Sequence, residues 1–299
     1  MARDGEKVLG QYASMPVGLW WGGREVRSSW GMDVFLRPEA RGRGIGARLF
    51  TTWSDHVEVA LGLGLTPSSY ALFKKLRYRD VGPVPFFRRI LDPRAVAARR
   101  LGPALGAVAG PLLGAGLGLV APERAEGEGS AAAPVEVRTI TGFSPEYDRL
   151  WERARASYAM CVRRDAVYLE WRYVRCPHRR YELREARRGG DLAGFAVSRH
   201  EDHGGLRLGW IIEVFADAAD REAKRALIGA ILDGFRQAGV ARAQAFSLNA
   251  ALAEDLRRRG FLPGRSPMQF CVRARVDSVG VFEDLGRWHA VFGDSDMDR

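Results

Sequence analysis

The pattern of apolar and polar positions changes period once, sharply, in the first fifth of the chain. Met32, Val34 and Leu36 alternate with Asp33, Phe35 and Arg37, the period of two expected of a strand. Pro38 ends the run, because proline has no amide hydrogen to give to a sheet ladder. Beyond a short turn, Ile45, Leu49, Trp53 and Val57 recur every fourth residue, one face of a helix. Between strand and helix lies Arg41-Gly42-Arg43-Gly44-Ile45-Gly46. Glycines let a backbone approach a ligand closely and take φ values that side chains forbid. The first amides of a helix lack partners and sit at its positive pole, which suits a phosphate. With two arginines added, the stretch reads as a cradle for a pyrophosphate, the alternative being a structural turn. No Gly-Lys-Ser/Thr follows, so it is not a Walker loop, and its short G-x-G-x-G spacing is a poor dinucleotide fingerprint.

Before this stretch, residues 8–12 and 16–21 read as strands, one continuing or pairing with the other. Gly22-Gly23 reads as a turn, and 25–33 leads into the central strand. After it, residues 60–65 read as a strand weakened by two glycines, 69–76 as a short helix, and 78–81 and 85–91 as closing strands. Residues 101–122 hold no charged side chain, and Gly102, Gly106, Gly110, Gly114 and Gly118 fall every fourth residue. Length and spacing suit a membrane span. A Gly/Ala-rich make-up and the interrupting Pro103 and Pro111 argue instead for a segment that packs between domains, with membrane-surface contact the less favoured alternative. Residues 123–134 read as a flexible linker.

From Val135 the alternation resumes. Strands are expected at 135–140, 181–186, 192–198, 206–215, 241–248 and 268–276. A helix follows Ser144-Pro145, another begins near Asp220, and a short one covers 250–259. Between them, residues 163–173 set Tyr168, Leu169, Trp171 and Tyr173 among charges, an amphipathic helix partly in the core or a surface for an anionic or sugar-like acceptor. The alternate aspartates near the end lack the glycine and distal glutamate of a calcium loop and read as a solvated acidic tail, with Trp288 and Phe292 as anchors.

Composition narrows the choices. A chain of 299 residues is ample for two domains. The net charge of +10 would attract an anion, but arginine is scattered and never interleaved with aromatics as in a single-strand groove, so no nucleic-acid partner is expected. Cys161, Cys176 and Cys271 have neither a disulfide framework nor zinc spacing. No metal is expected, and without an apolar leader the chain is expected in the cytoplasm.

The stretch V-x-x-x-P followed by Arg-x-x-Gly-x-Gly resembles the acyl-CoA signature of the GNAT superfamily of N-acyltransferases, with Val34, Pro38, Arg41, Gly44 and Gly46 as the matching positions. The resemblance implies that the amides of Gly42, Arg43, Gly44, Ile45 and Gly46, beside Arg41, hold the CoA pyrophosphate. It also implies that Val34, Phe35 and Leu36 offer backbone groups to the pantetheine arm and to the thioester carbonyl. Ala71-Leu72-Phe73-Lys74-Lys75-Leu76-Arg77-Tyr78 resembles the family's A-L-Y-E-K-L-G-F, with two departures. Phe73 stands where a tyrosine often protonates the leaving thiolate, and Arg77 where glycine is usual. The chain also enters almost at the family's second strand, so either the second unit supplies the acceptor wall or residues precede Met1.

The order of elements after 135 is again that of the superfamily. The fold class expected is therefore mixed α/β, two GNAT-like units, each a mostly antiparallel mixed sheet flanked by helices. The boundaries expected are 1–92 for the acyl-CoA-binding unit, 93–134 for the apolar segment and linker, 135–276 for the second unit, and 277–299 for the tail. The second unit reads Phe215-Ala216-Asp217-Ala218-Ala219-Asp220 where the cradle should be, and carboxylates there repel phosphate. The activity implied is transfer of an acyl group, acetyl by expectation, from acyl-CoA to an amine of a small-molecule or sugar-like acceptor, without a covalent enzyme intermediate. Asp33 is the best-placed carboxylate to draw off the amine proton, a solvent-facing strand residue being the competing reading. The alternative is a non-catalytic binding or scaffold module.

Overall fold

A long front hairpin sets the first sheet. In the computed structural model, which describes residues 1–120, 133–266 and 268–296, β1 (Ala2–Asp4) folds back on β2 (Lys7–Trp21), and β2 pairs with β3 (Arg24–Leu36). The expected pair of strands at 8–21 is thus one. Gly22 and Gly23 turn the corner with φ of 57° and 95°, the geometry that matches the twist of a two-residue hairpin. Then come α1 (Ile45–Asp55), β4 (Val59–Leu63), α2 (Pro67–Lys75), β5 (Arg79–Pro83) and β6 (Phe86–Ile90). Thr66 caps α2 by accepting from the Ser69 amide, and Pro67 begins it, as helix starts require.

The segment expected to join the units forms a helical hairpin, α3 (Pro93–Leu101) and α4 (Pro103–Val120). Its small residues face each other closely: a Cβ at Gly106 would fall 2.3 Å from the Ala98 Cα, and one at Gly110 2.7 Å from the Arg94 Cα. No helix among the described residues is long and apolar enough to cross a membrane. The linker expected at 123–134 lies outside the described residues up to position 132.

The remainder is β7 (Val135–Ile140), α5 (Glu146–Ala154), β8 (Met160–Val162), α6 (Ala166–Leu169), β9 (Glu182–Arg188), β10 (Asp191–His203), β11 (Leu206–Ala216), α7 (Arg221–Gln237), β12 (Arg242–Phe246), α8 (Ala250–Arg258), β13 (Leu262–Gly264), β14 (Gln269–Ala274) and β15 (Trp288–His289). Two mixed sheets result. The first runs β15-β8-β2-β3-β4-β14-β5 and the second β13-β6-β12-β11-β10-β9-β7.

The sheets do not follow the chain's order. β6, read as the closing strand of the first unit, lies between β12 and β13 of the second sheet. β14, read as the last strand of the second unit, lies between β4 and β5 of the first. The exchange is reciprocal, and β8 and β15 add a further tie along β2. One large apolar core spans both sheets, with Trp21, Trp30, Trp151, Phe195, Phe215, Phe270 and Trp288 inside it. Smaller cores lie under α1 and α2 (Phe50, Phe73, Tyr78) and under α7 and α8 (Leu227, Ile231, Phe235).

The 163–173 run is partly in the core, as one of its two readings has it. Leu169 and Tyr173 are buried, while Trp171 stays half exposed. Trp288 and Phe292 anchor the tail, being buried. The tail's acidic start is not solvated, however. Asp294 is buried because the Arg164 Nη2 donates to it at 2.6 Å, whereas Met297 and Asp298 lie outside the described residues.

Candidate active site

Between β3 and β4 the first sheet opens into a wedge. These parallel strands pair only at Ser28, Ser29 and Trp30 with Val59, Ala60 and Leu61. From Gly31 onward the sheet partner of β3 is β2 alone. The register with β2 shifts opposite Tyr12, so that Asp33 and Val34 together face one residue, a β-bulge that re-aims backbone groups and side chains. Asp33 takes a φ of 40°, a region that non-glycine residues seldom occupy and that marks strain at working sites. Asp33, Val34 and Phe35 are exposed and Leu36 is half-buried.

Tyr12 lies beneath the bulge, stacked on Phe50 with centroids 4.3 Å apart and edge-on to Trp53 at 4.9 Å. A Cβ at Gly31 would fall 1.8 Å from its hydroxyl, so the glycine makes room for the phenol at the apex of the wedge. Burial, and then Tyr78, hold the Tyr12 phenol well above its ordinary pKa. Neither Tyr12 nor Gly31 was among the expected site residues; their meeting is a cross-strand contact with no local signature.

The wedge leads to the start of α1. Gly42 and Gly44 have φ of 74° and 75°, and a Cβ at either would meet nothing within 4 Å. The turn is therefore open on its outer side and left-handed where glycine is needed. The first bond into α1 is donated by the Arg48 amide to the Gly44 carbonyl at 3.1 Å. The amides of Ile45, Gly46 and Ala47 come before it. No side chain caps them and no acid stands in the first turn, while Arg41, Arg43 and Arg48 are exposed around them. This donor set fits a pyrophosphate on backbone, charge and space alike.

Phe73 is core: it is buried, edge-on to Tyr78 at 4.5 Å and to Phe50 at 5.1 Å. Tyr70, also on α2, donates its hydroxyl to Asp80, and that bond raises its pKa to about 12. Neither ring offers a ready proton to the wedge. His56 sits at the far end of α1, its Nδ1 2.5 Å from the Thr52 carbonyl.

The second sheet has a matching wedge, and it is full. β11 and β12 pair only from Leu208 to Trp210 with Arg242 to Gln244, and β11 carries a bulge against β10 just beyond. Into the gap run the tail residues from Ala290 onward. The Leu248 amide donates to the Ala290 carbonyl at 3.3 Å, the Phe292 ring lies 4.4 Å from that of Phe246, and Arg172 donates to the carbonyls of Gly293 and Ser295. Beneath them, Arg164 bridges Glu213 and Asp294 at 2.8 and 2.6 Å, and His289 Nε2 lies 2.7 Å from Glu213, all four buried. At the start of α7, Asp220 accepts from the Ala223 amide and pairs with Arg188, so these amides already hold a carboxylate.

A cavity of about 670 Å³ joins the two halves near the first wedge. Met15 and Met32 line it from the hairpin, Trp171, Arg175 and His178 from the second half, and Asp296 from the tail. His178, remote in sequence, thus shares a chamber with the neighbour of Asp33. Among the described residues no cluster of three or more His, Cys, Asp or Glu could hold a metal.

These features define a class of fold, two GNAT-like units of sheet and helices with the wedge open in the first and filled in the second. Solved structures agree. The chain is similar to a GCN5-related N-acetyltransferase from Anabaena variabilis (TM-score 0.59, 14% identity, covering 91% of this chain and 61% of that one). It is also similar to the N-myristoyltransferase of Saccharomyces cerevisiae with bound myristoyl-CoA (0.55, 14%, 91% and 65%). A third is a probable N-acyltransferase from Enterococcus faecalis (0.57, 12%, 93% and 62%). The chain thus spans about three fifths of the length of these proteins. No known protein family matches it by sequence profile, and no curated protein matches it either.

Proposed function

We propose that this protein is an acyl-CoA-dependent N-acyltransferase, with acetyl-CoA as its donor and a small-molecule or sugar-like amine as its acceptor. The observation that carries the reading is the continuity of the first wedge, from the Asp33 bulge to the uncapped, acid-free start of α1. Arg41, Gly42, Arg43, Gly44, Ile45 and Gly46 hold the pyrophosphate, and Val34, Phe35 and Leu36 lie along the pantetheine arm. The donor, when bound, supplies a thioester carbonyl open to attack. The strand's amides polarise that carbonyl. Asp33 takes the proton of the attacking amine, directly or through water, as the C–N bond forms, and CoA leaves as its thiolate when the C–S bond breaks. The acceptor sits in the chamber between the halves, where Arg175 and His178 favour a molecule that carries an anionic group and Trp171 offers a ring to stack on. Three free cysteines suit a reducing cytoplasm.

Calorimetric titration with acetyl-CoA tests this reading, wild type beside Gly44→Glu. The glutamate is strained at a φ of 75° and repels phosphate. Binding in the micromolar range that the variant loses at least about 100-fold supports the cradle. A well-folded wild type that does not bind overturns it in favour of the scaffold reading, which the buried Phe73 supports. With acceptors in hand, Asp33→Asn is expected to lower kcat by about 100-fold or more with little change in donor affinity.

A further inference from the structure

A second cavity, of about 790 Å³, lies away from the wedge and shares no lining residue with the cradle. β6, the start of β12 and β13 make its floor, and the α3–α4 hairpin makes its roof. The register pairs Ile90 with Arg242 and Leu262 with Arg88, and directly paired residues point to one face of a sheet. Two arginines and two aliphatic side chains therefore rise from the floor together. Gly106 and Gly110 hold α4 against α3, which leaves Leu113 and Leu117 to line the chamber, and Arg100 enters at the rim. The volume lies within the ~300–1,000 Å³ usual for small-molecule sites.

Its charge is one-sided. Among the described residues no carboxylate pairs with Arg88, Arg100 or Arg242, and the Arg242 Nε is buried with no hydrogen-bond partner. Burial first, then the guanidinium groups of Arg88 and Arg100, push the Arg242 pKa down. A half-buried guanidinium crowded by two others and holding one buried, unpaired donor is costly, since buried donors are nearly always satisfied. An anion in the chamber would remove both costs, while the aliphatic walls call for an apolar body attached to it.

We propose that this cavity binds a single-chain lipid anion, its phosphate or carboxylate head held by Arg88, Arg100 and Arg242 and its alkyl chain lying among Ile90, Leu113, Leu117 and Leu262. The site is independent of the acyltransferase reading. Calorimetric titration of the full-length protein with dodecyl phosphate, kept below its micelle concentration, tests it beside inorganic phosphate. The expected result is one saturable site for the amphiphile and at least about tenfold weaker binding of bare phosphate. Arg242→Gln and Leu113→Asn should each weaken the amphiphile about tenfold or more, with Arg100→Gln as the exposed substitution least able to disturb folding. Leu105→Asn, on the outer, exposed face of α4, should leave binding unchanged. The proposal is overturned if folded wild type shows no saturable binding. It also fails if phosphate alone binds as tightly, or if the arginine variants bind like wild type.

Discussion

Arg77 shows what a single departure from a family pattern does. Its φ is 59°, the left-handed position that follows the last turn of α2, where the Tyr78 amide donates back to the Phe73 carbonyl at 3.0 Å. Glycine takes this conformation without strain, which is why it is the usual residue at such helix ends. Arg77→Gly is expected to stabilise the protein by about 0.5–1 kcal/mol, read as a higher midpoint in urea with an unchanged slope. Lys224 is a second misfit. It is buried near the start of α7 and donates its Nζ proton to the Ala218 carbonyl at 2.6 Å. Burial pushes its pKa down to about 8, against the pull of Asp255, Asp217 and Asp220 and with the push of Arg221. Between pH 8 and the unfolded value near 10.5 the unfolded chain binds the proton and the folded one does not, so this group's contribution to stability rises with pH. Below pH 8 it withholds up to about 3 kcal/mol. The stability difference between wild type and Lys224→Met should therefore shrink steadily from pH 8 to 10 in urea titrations. A constant difference would show that the ammonium is solvated. At this scale the glycine turn before α1 was legible because its glycines and the helix start are neighbours in sequence. The Tyr12–Gly31 contact and the buried Asp294 were not, since each depends on a partner far along the chain.

At the scale of elements, periodicity marked the longer strands and most helices but not α3 or the short β1, β8, β13 and β15, and the apolar segment 101–122 is the instructive case. Its spacing of small residues suits close helix packing in lipid or in water alike, and only the facing helix decides. Here α3 supplies that partner, at distances that leave no room for a side chain. Gly106→Val places a branched chain against the Ala98 backbone, which cannot yield as a side-chain end would. Overpacking of this kind costs about 1–3 kcal/mol, enough to lift α4 off α3. Limited proteolysis should then cut within 101–120 at a protease dose that leaves wild type intact, whereas Gly116→Ala, whose Cβ would meet nothing within 4 Å, should remain resistant. Alternation also fixes which face of a strand is buried, but not which strand lies beside it. For that reason β6 and β14 were seen as strands and given to the wrong neighbours.

Over the whole molecule, the exchange of β6 and β14 ties the two halves together. Each sheet has a strand from the other half at its interior, and the central core draws on both. A chain cut at position 92 would leave β4 without β14 and expose an unpaired edge, the usual route to aggregation. Residues 1–92 expressed alone are expected to be insoluble, and the full chain to unfold in one transition seen alike by fluorescence and circular dichroism. Two separate transitions would show that the exchanged strands contribute little. The filled second wedge fits the same arrangement: the slot is open in the first sheet, and in the second the tail occupies it.

The exchange also sets a timetable for synthesis. β4 ends at Leu63, while its partner β14 begins at Gln269, so about 200 residues must emerge from the ribosome before the first sheet can close. At roughly 5–20 residues per second, that leaves the strand waiting for about 10–40 s. Throughout this interval β4 waits with an open hydrogen-bonding edge on the side that β14 will take, where any other strand that arrives first can pair.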